Sequence, residues 1–308
     1  MEKIISGILL ILFLTGCNPA IEQTHSFFAM DTYMEVSVYG KREIAQKCGD
    51  YIKDLESLLS REALESNTLQ PETEHALQEA LKIAEETNGA FDPTVTPFLE
   101  LWGFYSKDYR VPLEHELLLT ASKVGYEKAL HQPNLCQFDL GGIGKGFASD
   151  LAAEYLKNQG VTSAILSLGG NIQTIGKKPD GSLWGVGIAD PSNPKEQACI
   201  LKVEECAVIT SGGYQRNFTK NGVTYHHIIN PKTGYPADSD LLSVTVVGPS
   251  ATRCDALSTA LFVMGKEEAI AFWSKTKDFD MILITQDAIY HTKGITPEQQ
   301  NKELLCIG

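Results

Sequence analysis

Apolar positions along the chain switch between two periods, and the switches mark its elements. Residues 27–39 alternate apolar and polar as a strand does. Ile44, Cys48, Tyr51, Ile52, Leu55 and Leu59 recur at helical spacing and predict a helix over 42–59. A second helix is expected from about Glu74 to Thr87, with Thr73 as N-cap and Gly89 as its stop. Phe147, Leu151, Ala152, Tyr155 and Leu156 mark a third, closed by Gly160. Short apolar runs predict strands at 164–168, 184–188, 207–210, 242–247 and 281–285. Between the last two, one helix starts near Ala251 and ends at Gly265, and another carries Ala269, Ile270, Phe272 and Trp273. Helices and strands are interspersed without a regular βαβ cadence. The expected fold is therefore α+β, with mixed sheets and packed helices, as a single globular domain of two lobes.

The N-terminal seventeen residues form a separate unit, MEKIISGILLILFLTGC. One lysine precedes a mostly apolar run over 4–14, too short to span a bilayer, which takes about 20 residues. Leu14-Thr15-Gly16-Cys17 resembles the lipobox of bacterial lipoproteins, in which the Cys becomes the lipidated mature N-terminus. This divides the chain into a signal peptide at 1–16, a tether from Cys17 over 17–26 and a domain over 27–308. It implies an exported protein, lipid-anchored on the extracytoplasmic or periplasmic face of a bacterial membrane.

Composition narrows the partners. The 308 residues carry 26 Lys plus Arg against 39 Asp plus Glu, a formal net charge of −13. That balance argues against broad nucleic-acid binding, which needs clustered cations. It leaves open a small anionic ligand handled by one lysine and a metal ion. None of the seven cysteines forms a CxxC pair, so neither a zinc ribbon nor a thioredoxin motif is supported. Export permits a Cys199–Cys206 disulfide, and buried free thiols fit equally well.

Four segments could carry chemistry. Asp139-Leu-Gly-Gly-Ile-Gly-Lys-Gly146 opens a helix, where glycines let backbone N–H groups approach an anion and the helix dipole favours it. It matches neither the Walker A nor the dinucleotide pattern, and reads as an anion cradle or a tight helix start. Ser167-Leu-Gly-Gly-Asn171 and Thr210-Ser-Gly-Gly-Tyr214 each follow a strand, as ligand loops or plain turns. In Tyr225-His-His-Ile-Ile-Asn-Pro-Lys-Thr-Gly-Tyr-Pro236, strand alternation puts His226 and His227 on opposite faces, so at most one enters a given cleft. Asp255 and Thr259 lie one helical turn apart, as hard oxygen ligands for Mg²⁺ or as a solvated pair near a helix start.

Together these segments resemble the ApbE family of FAD:protein FMN transferases over most of residues 27–290. The matching pieces are Ala29-Met-Asp-Thr32; Gly89-Ala-Phe-Asp-Pro-Thr-Val-Thr-Pro97 followed by Leu101-Trp-Gly103; the 139–146 and 167–171 loops; Val208-Ile-Thr-Ser-Gly212; His227-Ile-Ile-Asn-Pro-Lys-Thr-Gly234; and Ser243-Val-Thr-Val-Val247 leading into Asp255-Ala-Leu-Ser-Thr259. The resemblance implies a T-fold-like architecture and Mg²⁺-dependent transfer of FMN from FAD to a Thr or Ser hydroxyl of a target flavoprotein, a membrane redox subunit, with release of AMP. By position it implies FAD contacts at Met30, at Ala90, Phe91 and Asp92 on the adenine side, at Asp139 and Lys145, at Gly169, Gly170, Ser211 and Gly212, and at Ile229. It implies Mg²⁺ ligands at Asp255 and Thr259, with a main-chain oxygen of Gly142 and with Ser258 joining them. His227 is the implied base for the acceptor hydroxyl, with a metal-linked carboxylate as the alternative.

Two departures stand out. Asp31 occupies a place where many relatives have Gly, and the expectation is that its carboxylate points away or binds metal. Residues 59–67 offer no aromatic ring to stack on the flavin, which leaves Tyr105 or Tyr214 to cover it. An FAD pyrophosphatase and a non-catalytic FAD-binding lipoprotein are the competing readings.

Overall fold

The computed structural model describes residues 21–299 and 303–308, so the leader and Cys17 lie outside the described residues. Its strands are β1 Glu22–Ala29, β2 Thr32–Tyr39, β3 Ala164–Leu168, β4 Asn171–Ile175, β5 Trp184–Asp190, β6 Asn193–Val203, β7 Ala207–Gly212, β8 Asn217–Lys220, β9 Val223–His226, β10 Ser243–Gly248, β11 Asp280–Ile284, β12 Ala288–Thr292, β13 Glu298–Gln299 and β14 Glu303–Ile307. Its α-helices are α1 Arg42–Leu58, α2 Arg61–Leu64, α3 Pro71–Glu86, α4 Thr96–Trp102, α5 Glu114–Ala121, α6 Tyr126–His131, α7 Gly144–Asn158 and α8 Ala251–Thr276. None is long and apolar enough to cross a membrane.

A nine-stranded sheet runs β1-β2-β3-β4-β7-β10-β11-β12-β14, antiparallel throughout except for the β12–β14 pair. Both of its faces are buried, which is why its central strands are nearly continuous apolar runs. On β11, Met281 and Leu283 face the helix-side core, while Ile282 and Ile284 join the core under the three-stranded β13-β6-β5 sheet. On β10, Val244 and Val246 likewise point to the helices and Val247 to the second sheet. Helices α1, α7 and α8 pack on the first face. A separate aromatic core of Phe98, Trp102, Phe104, Leu117 and Ile229, with Tyr109, Phe218 and Tyr225 against it, forms a smaller lobe around α4, α5 and the β8–β9 hairpin. The α+β single domain is as expected from the sequence.

Four boundaries differ from the sequence reading. The strand expected over 27–39 is two strands, because Met30 and Asp31 turn the chain at φ 47° and 58°. The first of them begins at Glu22, so residues 22–26 are sheet and not tether. Thr73 does not cap α3. Pro71 opens that helix behind Gln70, and the Thr73 hydroxyl donates to the Leu58 carbonyl at 2.6 Å. The strand expected over 281–285 stops at Ile284, since Thr285 already belongs to the turn into β12. At Gly265 (φ 76°) α8 breaks, and Asp240 accepts from the Lys266 N–H at 2.9 Å to restart it. All six described cysteines, Cys199 and Cys206 included, are free thiols.

The main helical contact is α7 against α8, running antiparallel. Asp150 on α7 caps the first turn of α8, accepting from the N–H groups of Ala251 (2.8 Å) and Thr252 (2.9 Å) and from the hydroxyls of Ser250 (2.9 Å) and Thr252 (2.7 Å). One carboxylate thus answers the orphan donors of a helix start and favours its dipole. Replacing Asp150 with Ala is expected to lower stability by about 1–2 kcal/mol in urea unfolding at pH 7, with Asn recovering part of the loss. No change would show that the cap contributes nothing.

Candidate active site

Where the first turns of α7 and α8 meet, the two helices come so close that only glycine fits at position 146. A Cβ there would lie 2.7 Å from the Asp255 Cβ. The Gly146 N–H donates to Asp255 Oδ2 at 2.8 Å. Asp255 is 4% exposed, and that is the only hydrogen bond its carboxylate makes among the described residues. A buried carboxylate held by one donor needs positive charge or further donors beside it.

One turn on, α8 presents hydroxyls to the end of β7. Ser258 donates to the Asp255 main-chain oxygen at 2.8 Å, so its oxygen accepts from Ser211 Oγ, 2.8 Å away. Ser211 Oγ is also 3.2 Å from Thr259 Oγ1. Gly142 closes the other side. A Cβ there would sit 3.0 Å from the Phe91 ring and 3.7 Å from Thr259 Oγ1, so the loop runs directly over the hydroxyls. Gly142, Ser211, Asp255, Ser258 and Thr259 are therefore brought together.

Asp139 shapes the loop itself. Its Oδ1 accepts from the Gly141 N–H at 2.7 Å and its Oδ2 from the Tyr105 hydroxyl at 2.5 Å, while its own N–H donates to the Pro93 carbonyl at 2.8 Å. The Tyr105 ring in turn carries the Arg61 guanidinium 4.2 Å above it. The loop ends in α7, whose N-cap residue Ile143 makes no side-chain cap; Asp255 instead takes the Gly146 N–H of the first turn, where Lys145 stands.

His226 and His227 diverge as strand alternation requires. His226 turns inward, edge-on to Phe262 with Nε2 3.2 Å from the Ala237 carbonyl. His227 turns to the aromatic lobe, edge-on to Phe104. Its Nδ1 lies 3.0 Å from the Arg216 carbonyl, which can only accept, so Nδ1 carries the proton and Nε2 keeps its lone pair. Burial pulls the ring down to about 4, and the charges of Arg216 and Lys145 push the same way. His227 is therefore neutral at pH 7.

Other expected contacts have structural duties. Asp92 is buried, with Oδ1 accepting from the Thr94 N–H (2.8 Å) and hydroxyl (2.7 Å) and Oδ2 from the Tyr126 N–H (2.8 Å). Phe91 packs in the helix-side core beside buried Ala90, and the Ile229 side chain in the aromatic core. The Met30 N–H donates to Glu56 Oε1 at 2.6 Å, and Asp31 is exposed in the left-handed turn position that glycine would fill without strain. Gly169 packs against Thr32 so closely that a Cβ would lie 2.5 Å from its methyl, which joins the 169–170 loop to that turn. Gly212 is pressed against the Tyr214 ring. Arg61, Asp150 and Arg216 were not singled out by the sequence. Arg216 follows the Gly-Gly-Tyr loop by two residues, but nothing in its spacing marks its carbonyl as the partner of a histidine.

A glycine loop, a buried carboxylate and three hydroxyls thus meet between α7, α8 and the end of β7, and they form the candidate active site. Comparison with known proteins gives the family: the ApbE family model matches residues 30–283, and the chain belongs to it. The chain is 31% identical over 293 residues to the FAD:protein FMN transferase of Vibrio cholerae, covering 85% of this chain and 87% of that protein. It is 35% identical over 234 residues to that of Treponema pallidum, covering 68% of this chain and 65% of that protein. The crystal structure of the Thermotoga maritima ApbE protein superposes with a TM-score of 0.78 at 31% identity, over 91% of this chain and 97% of that one. Residues 1–18 match a prokaryotic membrane lipoprotein lipid attachment site, which makes this an exported, lipid-anchored protein.

By NMR titration the His227 ring is expected to stay neutral down to about pH 4. A midpoint near the ordinary value of about 6.5 would show that the ring is not enclosed as described.

Proposed function

We propose that this protein transfers FMN from FAD to the hydroxyl of a Thr or Ser in a target flavoprotein, releasing AMP, with Mg²⁺ at Asp255. The observation that carries the reading is the junction of Gly142, Ser211, Asp255, Ser258 and Thr259 in a chain whose relatives are named FAD:protein FMN transferases.

One carboxylate with hydroxyls and a main-chain oxygen is a hard donor set that fits Mg²⁺ shared with substrate phosphates. The half-satisfied Asp255 carboxylate supports this. When bound, the ion supplies neutralisation of the pyrophosphate charge. The dipole of the α7 N-terminus and Lys145 supply further positive potential to the same anion. The acceptor oxygen attacks the phosphorus of the FMN half, and the bond from that phosphorus to the bridging oxygen breaks. The bridging oxygen leaves with AMP, and the acceptor proton passes to Nε2 of His227. Arg216 keeps that nitrogen free by holding Nδ1–H, and burial keeps the ring unprotonated. The lipid anchor favours an acceptor among the extracytoplasmic subunits of membrane redox complexes.

Purified protein, FAD, Mg²⁺ and a Thr-containing flavoprotein domain should give that domain a mass gain of one FMN, lost when its Thr is changed to Ala. Free FMN without adduct would favour the pyrophosphatase, and unchanged bound FAD the non-catalytic binder. Asp255→Ala is expected to abolish turnover; full activity at limiting Mg²⁺ would remove Asp255 from the site. His227→Ala should slow transfer by about 10²–10⁴ while FAD affinity holds, and an unchanged rate would move the base elsewhere.

A further inference from the structure

Asn171 opens β4 directly after Gly169 and Gly170, both at positive φ (64° and 94°). It is 3% exposed, and its amide nitrogen is buried without any hydrogen-bond partner. A buried donor left unpaired is costly, and a native core recovers that cost only if some partner arrives.

The sheet register says where that donor faces. Asn171 pairs with Leu168, whose side chain lies in the helix-side core. Its neighbour Ile172 points to the opposite face, under the second sheet. Ile172 also pairs with Val208 of β7, which brings Asn171 beside Ile209 on the helix side. Two residues further along β7 on that face is Ser211, bonded to Ser258 and Thr259. Diagonal neighbours of this kind are about 7–8 Å apart at Cα, within reach of an asparagine and a bridging oxygen. Covering β4 from above is α7, the helix whose preceding loop passes Thr259 at Gly142.

We infer that the Asn171 side-chain amide is a further substrate-positioning group, donating to a phosphate oxygen of the dinucleotide that Asp255, Ser211 and Thr259 surround. The inference rests on the reading above that FAD binds here. It extends that reading to a neutral donor, which suits a pyrophosphate whose charge is met elsewhere. It also gives the two glycines before it a purpose, since they let the chain turn sharply enough to aim the amide inward from a strand end.

The test is calorimetric titration of the whole protein with FAD, ADP and FMN in Mg²⁺, for the wild type, Asn171→Leu and Asn171→Asp. Asn171→Leu keeps the shape and removes an unpaired amide, so the melting temperature without ligand should hold or rise. Its Kd for FAD, and for ADP or FMN according to which phosphate the amide meets, should rise about tenfold, as should that of Asn171→Asp, which keeps the fold of the site but supplies no donor. Unchanged affinities in both variants, with the wild type binding FAD, would mean that the amide meets an ordered water, and would overturn the inference while leaving the proposed function intact. A wild type that binds neither FAD nor ADP would overturn both.

Discussion

The crossing of α7 and α8 is the constraint on which the rest of this site depends. It is fastened by Asp150, which takes up the first donors of α8, and one turn earlier on α7 by Gly146, where no side chain fits and a backbone N–H meets Asp255. With those two points fixed, the antiparallel packing leaves the glycine loop before α7 no freedom. It must pass over Thr259, one turn of α8 beyond Asp255. The hydroxyls of β7 then meet α8 because that strand lies at the centre of the sheet. Anion cradle and carboxylate are thus a single packed unit built from segments more than a hundred residues apart.

Much of this was legible in the sequence. The long helices and central strands carried clean periodicities, and the Asp255–Thr259 spacing and the glycine loop stood out. What was not legible has physical causes. Met30 and Asp31 turn left-handed without a glycine, so the alternation runs through the turn unmarked. The bonds of Asp92 and Asp139 to Thr94, Tyr126, Gly141 and Tyr105 carry no sequence signal, since only tertiary structure brings Tyr126 and Tyr105 to them. Asp150 gave no local signal at all, because the helix it caps is the next but several elements along the chain.

The net charge of −13 also takes on local meaning. The carboxylates near the site either have both oxygens hydrogen-bonded, as in Asp139, or are left half-satisfied, as in Asp255. Positive charge is sparse and specific there: Lys145 in the first turn of α7 and Arg216 beside His227. An acidic surface is compatible with the proposed anion site, because a helix dipole and a few cations act on it at short range, where solvent screening is weakest.

The aromatic lobe has a consequence of its own. His227 is carried by a core of Phe98, Trp102, Phe104 and their neighbours, while the hydroxyl and carboxylate cluster sits on the main helix-side core. The two hydrophobic clusters are distinct, so the machinery is split between two units of local stability. Fraying of the smaller one would displace His227, the proposed proton acceptor, while leaving the cluster of Asp255, Ser211 and Thr259 folded. On the proposed function, heat inactivation would then precede global melting, and the warmed protein would lose transfer before it lost its nucleotide site.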